Sequence, residues 1–161
     1  MPTLMTRLRR PALIAALLAA AVLPSCGSDP VTVGTGARCF PVITVEPNPV
    51  IASQNLIGSA TAGYKITLTE TGGLGGKFVF VNGSVFDPAT GTLVALNYYD
   101  AADMVVFVGR ERLEALESIS FPQTASYTLP SLTKAATLTI TVQLTDDRGN
   151  VVNASTLVPI E

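Results

Sequence analysis

Histidine is absent from this 161-residue chain, and a large part of enzyme chemistry goes with it. Without imidazole there is no Ser-His-Asp or Cys-His activation of a nucleophile, no histidine general acid or base, and no histidine metal ligand. Carboxylate chemistry and all-oxygen calcium sites pass that filter. Tryptophan is absent too, which removes the commonest stacking surface for sugars, and only four tyrosines and six phenylalanines remain to serve core and surface alike. Basic charge is scarce: ten Lys and Arg face twelve Asp and Glu, for a formal net charge of −2. Phosphate neutralisation dominates nucleic-acid binding, so a chain without a basic surplus is not expected to bind nucleic acid. The apolar run at 12–23 has twelve residues, short of the roughly 20 that a spanning helix needs.

What is present begins with a leader. Arg7, Arg9 and Arg10 precede that apolar run, the order of an export signal. Leu23-Pro24-Ser25-Cys26 follows and resembles the lipobox of bacterial lipoproteins. The resemblance implies cleavage before Cys26, diacylglycerol on its thiol and a second acylation (typically palmitate) at the new N-terminus. Two or more chains make a stable anchor, whereas one is marginal. Gly27 stands where inner-membrane retention typically uses Asp, so the implied address is the outer membrane of a diderm bacterium. Cleavage there leaves seven basic against twelve acidic residues, a formal charge of −5. The alternative is an ordinary secretory signal cut after Ala21, leaving Cys26 and Cys39 able to pair in an oxidising compartment.

The expected organisation is a signal peptide at 1–25, a lipidated N-terminus and flexible tether at 26–39, and one folded domain at 40–161. Residues 27–38 are rich in Gly, Ser, Thr and Pro, the composition of a tether. In the domain, Leu138, Ile140, Val142 and Leu144 alternate with Thr and Gln, the period-2 mark of a half-buried strand. That strand runs through Asp146-Asp147-Arg148-Gly149-Asn150 into 151–159, and Gly149 can take the positive φ that a tight hairpin requires. A second hairpin is expected from 77–86 and 92–98 around Asp87-Pro88-Ala89-Thr90-Gly91. Tyr64, Ile66 and Leu68 mark another strand with those side chains inward, and 42–46 an edge strand closed by Pro47 and Pro49. Residues 104–108 read as a strand and 110–117 as further strand rather than helix. Residues 118–121 and 124–129 read as two more.

About seven to nine short strands with regular turn signals predict an all-β antiparallel sandwich. Two segments, Tyr64-Lys-Ile-Thr-Leu-Thr-Glu-Thr-Gly-Gly and Leu138-Thr-Ile-Thr-Val-Gln-Leu-Thr-Asp-Asp-Arg-Gly-Asn, resemble the immunoglobulin-like and fibronectin-like modules of bacterial surface proteins. The resemblance implies an immunoglobulin-like β-sandwich in which the second segment is the penultimate strand.

No residue set in the chain rises to a catalytic site. Asp146, Asp147 and Asn150 put oxygens on one turn and are weak calcium candidates, set against a solvated turn that caps its own backbone. Asp87, Asp100 and Asp103 have no reason to converge. Glu111, Glu114 and Glu117 read as a solvated face, because glycoside chemistry needs two carboxylates facing across a cleft. Gly72-Gly73-Leu74-Gly75-Gly76 lacks the ending of a phosphate loop and reads as a flexible connection. Adjacent Tyr98 and Tyr99 must point to opposite faces of a strand, so one is a candidate partner contact. The expected protein is therefore a non-enzyme without cofactor or metal. It is held to the membrane through lipid on Cys26, and its sandwich is expected to serve as a binding or structural module, with an envelope protein or glycan as candidate partner met through exposed strand edges or loops. Its rivals are a carbohydrate-binding module, a calcium-dependent adhesion module and a carboxylate-based hydrolase.

Overall fold

The computed structural model describes residues 36–56, 58–130 and 133–161, except the side chain of Leu56. The leader, Cys26 and most of the tether lie outside those residues. Nine strands and one helix follow in order: β1 (Pro41–Glu46), β2 (Ala52–Leu56), β3 (Ser59–Glu70), β4 (Gly76–Phe86), β5 (Leu93–Asp100), α1 (Ala101–Val108), β6 (Arg112–Leu113), β7 (Ser118–Thr128), β8 (Ala136–Asp146) and β9 (Val151–Ile160). The protein is an all-β antiparallel sandwich. In one sheet β3 is central, with β7 along one side and β1 and β2 sharing the other. In the second sheet the order is β5-β4-β8-β9, and the short β6 pairs with β4 beyond the end of β5. Counting β1 and β2 as one interrupted edge, the fourth strand, β5, stays beside β4, whereas the fourth strand of antibody constant domains joins the first sheet.

Two-residue periodicity builds the core. In β8, Leu138, Ile140, Val142 and Leu144 are fully buried while the intervening Thr and Gln side chains are partly exposed. Tyr64, Ile66 and Leu68 of β3 point inward as expected, and meet Ile119 and Phe121 from β7. Both expected hairpins are present. Asp87 N–H donates to Thr92 O across the β4–β5 turn, where Gly91 has φ +69°. Asp146 N–H donates to Asn150 O across the β8–β9 turn, where Gly149 has φ +84°.

Three expectations are corrected. Residues 104–108 are not a strand but most of α1, despite three valines and a phenylalanine. Asp100 caps the helix, accepting from Ala102 N–H at 2.8 Å and Asp103 N–H at 3.0 Å, and Asp103 reaches back to Asp100 N–H at 3.1 Å. Gly109, at φ +78°, ends it. Residues 110–117 are a loop containing only the two-residue β6. The two strands expected after it are one, β7, running through Pro122. Glu70 N–H donates to Glu117 O, and strict alternation from that bond turns the nitrogen of Pro122 away from β3, toward the open edge where a missing N–H costs nothing. The ordered fold also starts before residue 40: Arg38 bridges to Gly73, and Cys39 is a buried free thiol. Burial, aided by the charge of Glu70 and more distant aspartates, pushes that thiol up to about 11.

This register predicts the response to a buried charge. Val142→Asp places a carboxylate in the core and should cost several kcal/mol, a large share of a domain's ~5–15 kcal/mol. Thr141→Asp, on the outer face, should cost about 1 kcal/mol or less. Urea denaturation of both variants checks the difference.

Candidate functional site

At one end of the sandwich a single buried carboxylate organises three segments. Glu70, 1 % exposed at the end of β3, accepts main-chain N–H groups from Phe40 at 2.9 Å, Gly72 at 2.7 Å, Gly73 at 2.8 Å and Leu116 at 3.0 Å. Burial pushes its carboxyl up, but the four donors outweigh burial and hold it below the usual glutamate range. The Gly-rich segment is therefore tied down rather than flexible. A Cβ on Gly72 would sit 2.0 Å from Arg38 O, so close approach explains that glycine; Gly73, at φ +80°, serves the turn.

The acidic residues singled out in the sequence are engaged here in local structure. Asp146 accepts from Asn150 Nδ2 and from the N–H groups of Arg148 and Asn150, which lower its pKa. Asp147 receives Nη2 of Arg112 at 2.9 and 3.0 Å. Asp146, Asp147 and Asn150 thus cap a turn and hold an arginine. Among the described residues no group of three or more acidic or cysteine side chains is placed to hold a metal ion. Glu111 pairs with Lys77 at 3.0 Å, Glu114 with Arg112 at 2.8 Å, and Glu117 with Arg110, so the carboxylate run is divided among three cations. Asp87 caps its own turn by accepting from Ala89 N–H, at the other end of the hairpin from Asp100 and Asp103.

Tyr98 and Tyr99 do face opposite ways. Tyr98 is 55 % exposed on the outer face, its ring 5.7 Å from that of Phe80. Tyr99 packs against the core, donates its hydroxyl to Gln123 Oε1, and meets Phe107 of α1 edge-on at 5.0 Å. Cys26 lies outside the described residues.

A feature not read from the sequence is the cleft between the two sheets along β1 and β9. It has a volume of about 360 Å³ and is lined by residues 40–43 and 152–156. Its far end is closed where Val50 N–H donates to Pro159 O at 2.9 Å and Glu161 N–H donates to Val50 O at 2.9 Å. These bonds show that odd-numbered residues of β9 turn their main-chain groups outward. By alternation Asn153, Ser155 and Leu157 do the same along the open stretch. On β1 the bond from Thr71 N–H to Phe40 O puts the main-chain groups of even-numbered residues toward β3, which leaves those of Ile43 and Val45 turned away from β3, toward the open edge. Among the described residues no main-chain hydrogen bond joins 41–46 to 151–157. The sequence marks 42–46 as an edge strand; that β9 lies across the cleft from it comes only from the pairing map.

Comparison with known proteins shows fold and no more. No family model matches the sequence, and no curated protein matches it. Among solved structures, a candidate ApaA protein from Bordetella pertussis superposes with a TM-score of 0.54 at 12% identity, over 76% of this chain and 94% of that one. A structural-genomics target designated SoR45 gives 0.48 at 13% identity, covering 78% and 84% of the two chains. The sporulation control protein Spo0M from Bacillus subtilis gives 0.43 at 9%, covering 78% and 50%. At these identities the first likeness supports the sandwich alone, and the other two carry no argument.

Glu70→Gln should lower stability by about 2–4 kcal/mol at neutral pH, because an amide turns donors toward main-chain donors. Glu70 has a folded pKa below its usual 4.5, so its contribution is complete above that value and is lost as pH falls through the depressed folded value. Denaturation midpoints measured from pH 7 to pH 3 should therefore converge for the two proteins only at the acid end.

Proposed function

We propose that the chain is a lipid-anchored cell-envelope protein whose sandwich works by binding rather than catalysis, and that its binding element is the open edge along β1 and β9. The observation that carries this reading is the pair of strand edges with outward main-chain groups on either side of a cleft. Edges of this kind accept an added strand: main-chain bonds supply affinity, and alternate side chains supply selectivity. Engagement of the carboxylates in caps and ion pairs supports the non-catalytic part of the reading. The anchor rests on the lipobox resemblance around Cys26.

Both parts can be tested. Cells grown with a labelled fatty acid should label the protein, and Cys26→Ala should abolish the label and release a soluble form. Equal labelling of the variant would refute the anchor. For the edge, selection from a random peptide library should enrich extended segments with alternating apolar residues. Ser155→Pro removes an outward N–H and should weaken their binding by about tenfold or more. Pro159 already occupies an equivalent outward position. Ser155→Ala controls for loss of the hydroxyl and should bind as the parent does. Equal binding by Ser155→Pro would remove the edge from the mechanism, and hydrolysis of peptidoglycan by the purified protein would overturn the non-catalytic reading.

A further inference from the structure

Leu116 is placed against the interests of folding. It is the one non-glycine residue with positive φ, at +58°, among the described residues, and its side chain is 65 % exposed. An L residue in that region is disfavoured, and glycine or asparagine would relieve it. A solvent-exposed leucine side chain returns little to the core in exchange. Backbone outliers that the surroundings enforce concentrate at functional positions. Here the enforcing bond is the one from Leu116 N–H to Glu70 Oε2.

The other oxygen of the same carboxylate holds Phe40 N–H, so Phe40 and Leu116 are attached side by side at this end. The Phe40 side chain is 53 % exposed, with the Arg38 guanidinium 5.7 Å from its ring centroid. This is also the end from which β1 starts, the side of the fold toward the N-terminal segment. Cys26 precedes Arg38 by twelve residues, a reach of ~40 Å fully extended and ~20 Å as a flexible coil. An anchor at Cys26 is therefore joined to the domain through this end rather than through the end at Thr90.

We propose that Phe40 and Leu116 form a membrane-contacting tip that rests in the headgroup region and orients the anchored domain, with Arg38 reaching lipid phosphate. The proposal depends on the lipid-anchor reading above. Phe and Leu gain by entering the boundary between headgroups and acyl chains, and a long basic side chain beside them can keep its charge among the phosphates. The carboxylates of the adjoining 110–117 loop are in ion pairs with Lys77, Arg110 and Arg112, which lowers the cost of bringing that loop to the surface.

An artificial tether separates this proposal from the question of lipidation. The mature-length chain with Cys26→Ala and an N-terminal histidine tag is held on phosphatidylcholine vesicles containing a nickel-chelating lipid. An environment-sensitive dye is placed at Ala115→Cys or, as the far-end control, at Thr90→Cys; the Cys39 thiol is buried and does not compete. Tethering should blue-shift the dye at 115 and shield it from aqueous iodide by about threefold or more, with no change at 90. Adding Leu116→Asn should abolish that response while leaving the melting temperature unchanged or higher. Equal responses at 115 and 90, or a full response with Leu116→Asn, would overturn the proposal. So would a lower melting temperature for Leu116→Asn, which would make the leucine a folding residue. Shielding that appears only when envelope proteins are added would assign the tip to a protein partner and likewise overturn it. Loss of the anchor reading would show separately, as missing fatty-acid label on Cys26.

Discussion

The Glu70 carboxylate is the interaction on which one whole end of this sandwich depends. A buried charge is tolerable only when its lone pairs are filled, and here four main-chain N–H groups fill them. The donors come from the segment leading into β1, the β3–β4 connection and the loop before β7. None of these belongs to a regular ladder at those positions. One side chain thus replaces the hydrogen bonds that a longer strand would have supplied. The geometry it demands reaches outward: Gly72 must lack a Cβ because Arg38 lies against it, and Leu116 must accept a left-handed backbone to present its N–H.

Much of the fold was legible because strand periodicity is a local signal. Leu138 to Leu144, Tyr64 to Leu68 and the two hairpin turns each declare themselves within ten residues. The segment 100–117 did not, because its determinants compete. Val105, Val106 and Val108 favour strand by side-chain shape, but the Asp100–Asp103 capping box and Gly109 fix both ends of a helix, and burial of Met104 holds it to the sheets. Residues 118–121 and 124–129 read as two strands, but they are one, because an edge strand whose proline nitrogen faces out absorbs Pro122 without interruption.

The candidate site was far less legible, and the reason is physical. Residue type told where oxygens were, at Asp146, Asp147 and Asn150, but not whether they were already engaged by Arg112 and by the turn itself. A glutamate followed by a threonine and two glycines, as at Glu70, does hint that loop N–H groups will converge on a carboxylate. Its other two donors lie 30 and 46 residues away in sequence, and no local reading could supply them. An open strand edge is a property of pairing between distant segments, so the cleft along β1 and β9 has no sequence pattern of its own.

The outer faces of the two sheets sharpen the argument for edges and tips. Across β3 and β7, Ser59 meets Thr128, Thr61 meets Ser126, Thr67 meets Ser120 and Thr69 meets Ser118, at 2.8–3.3 Å. On the other sheet Thr141 meets Ser155 and Gln143 meets Asn153. Side chains that hydrogen-bond one another across a strand pair stabilise the sheet and have less capacity left for a partner. Broad polar faces of this kind keep a domain soluble without giving it specificity. Under the proposed binding role, what discriminates between partners then lies off these polar stretches: along β9 beyond the Val50 bridge, at the end where Glu70 holds Phe40 and Leu116, and on the outer face of β5 where Leu96 and Tyr98 are exposed.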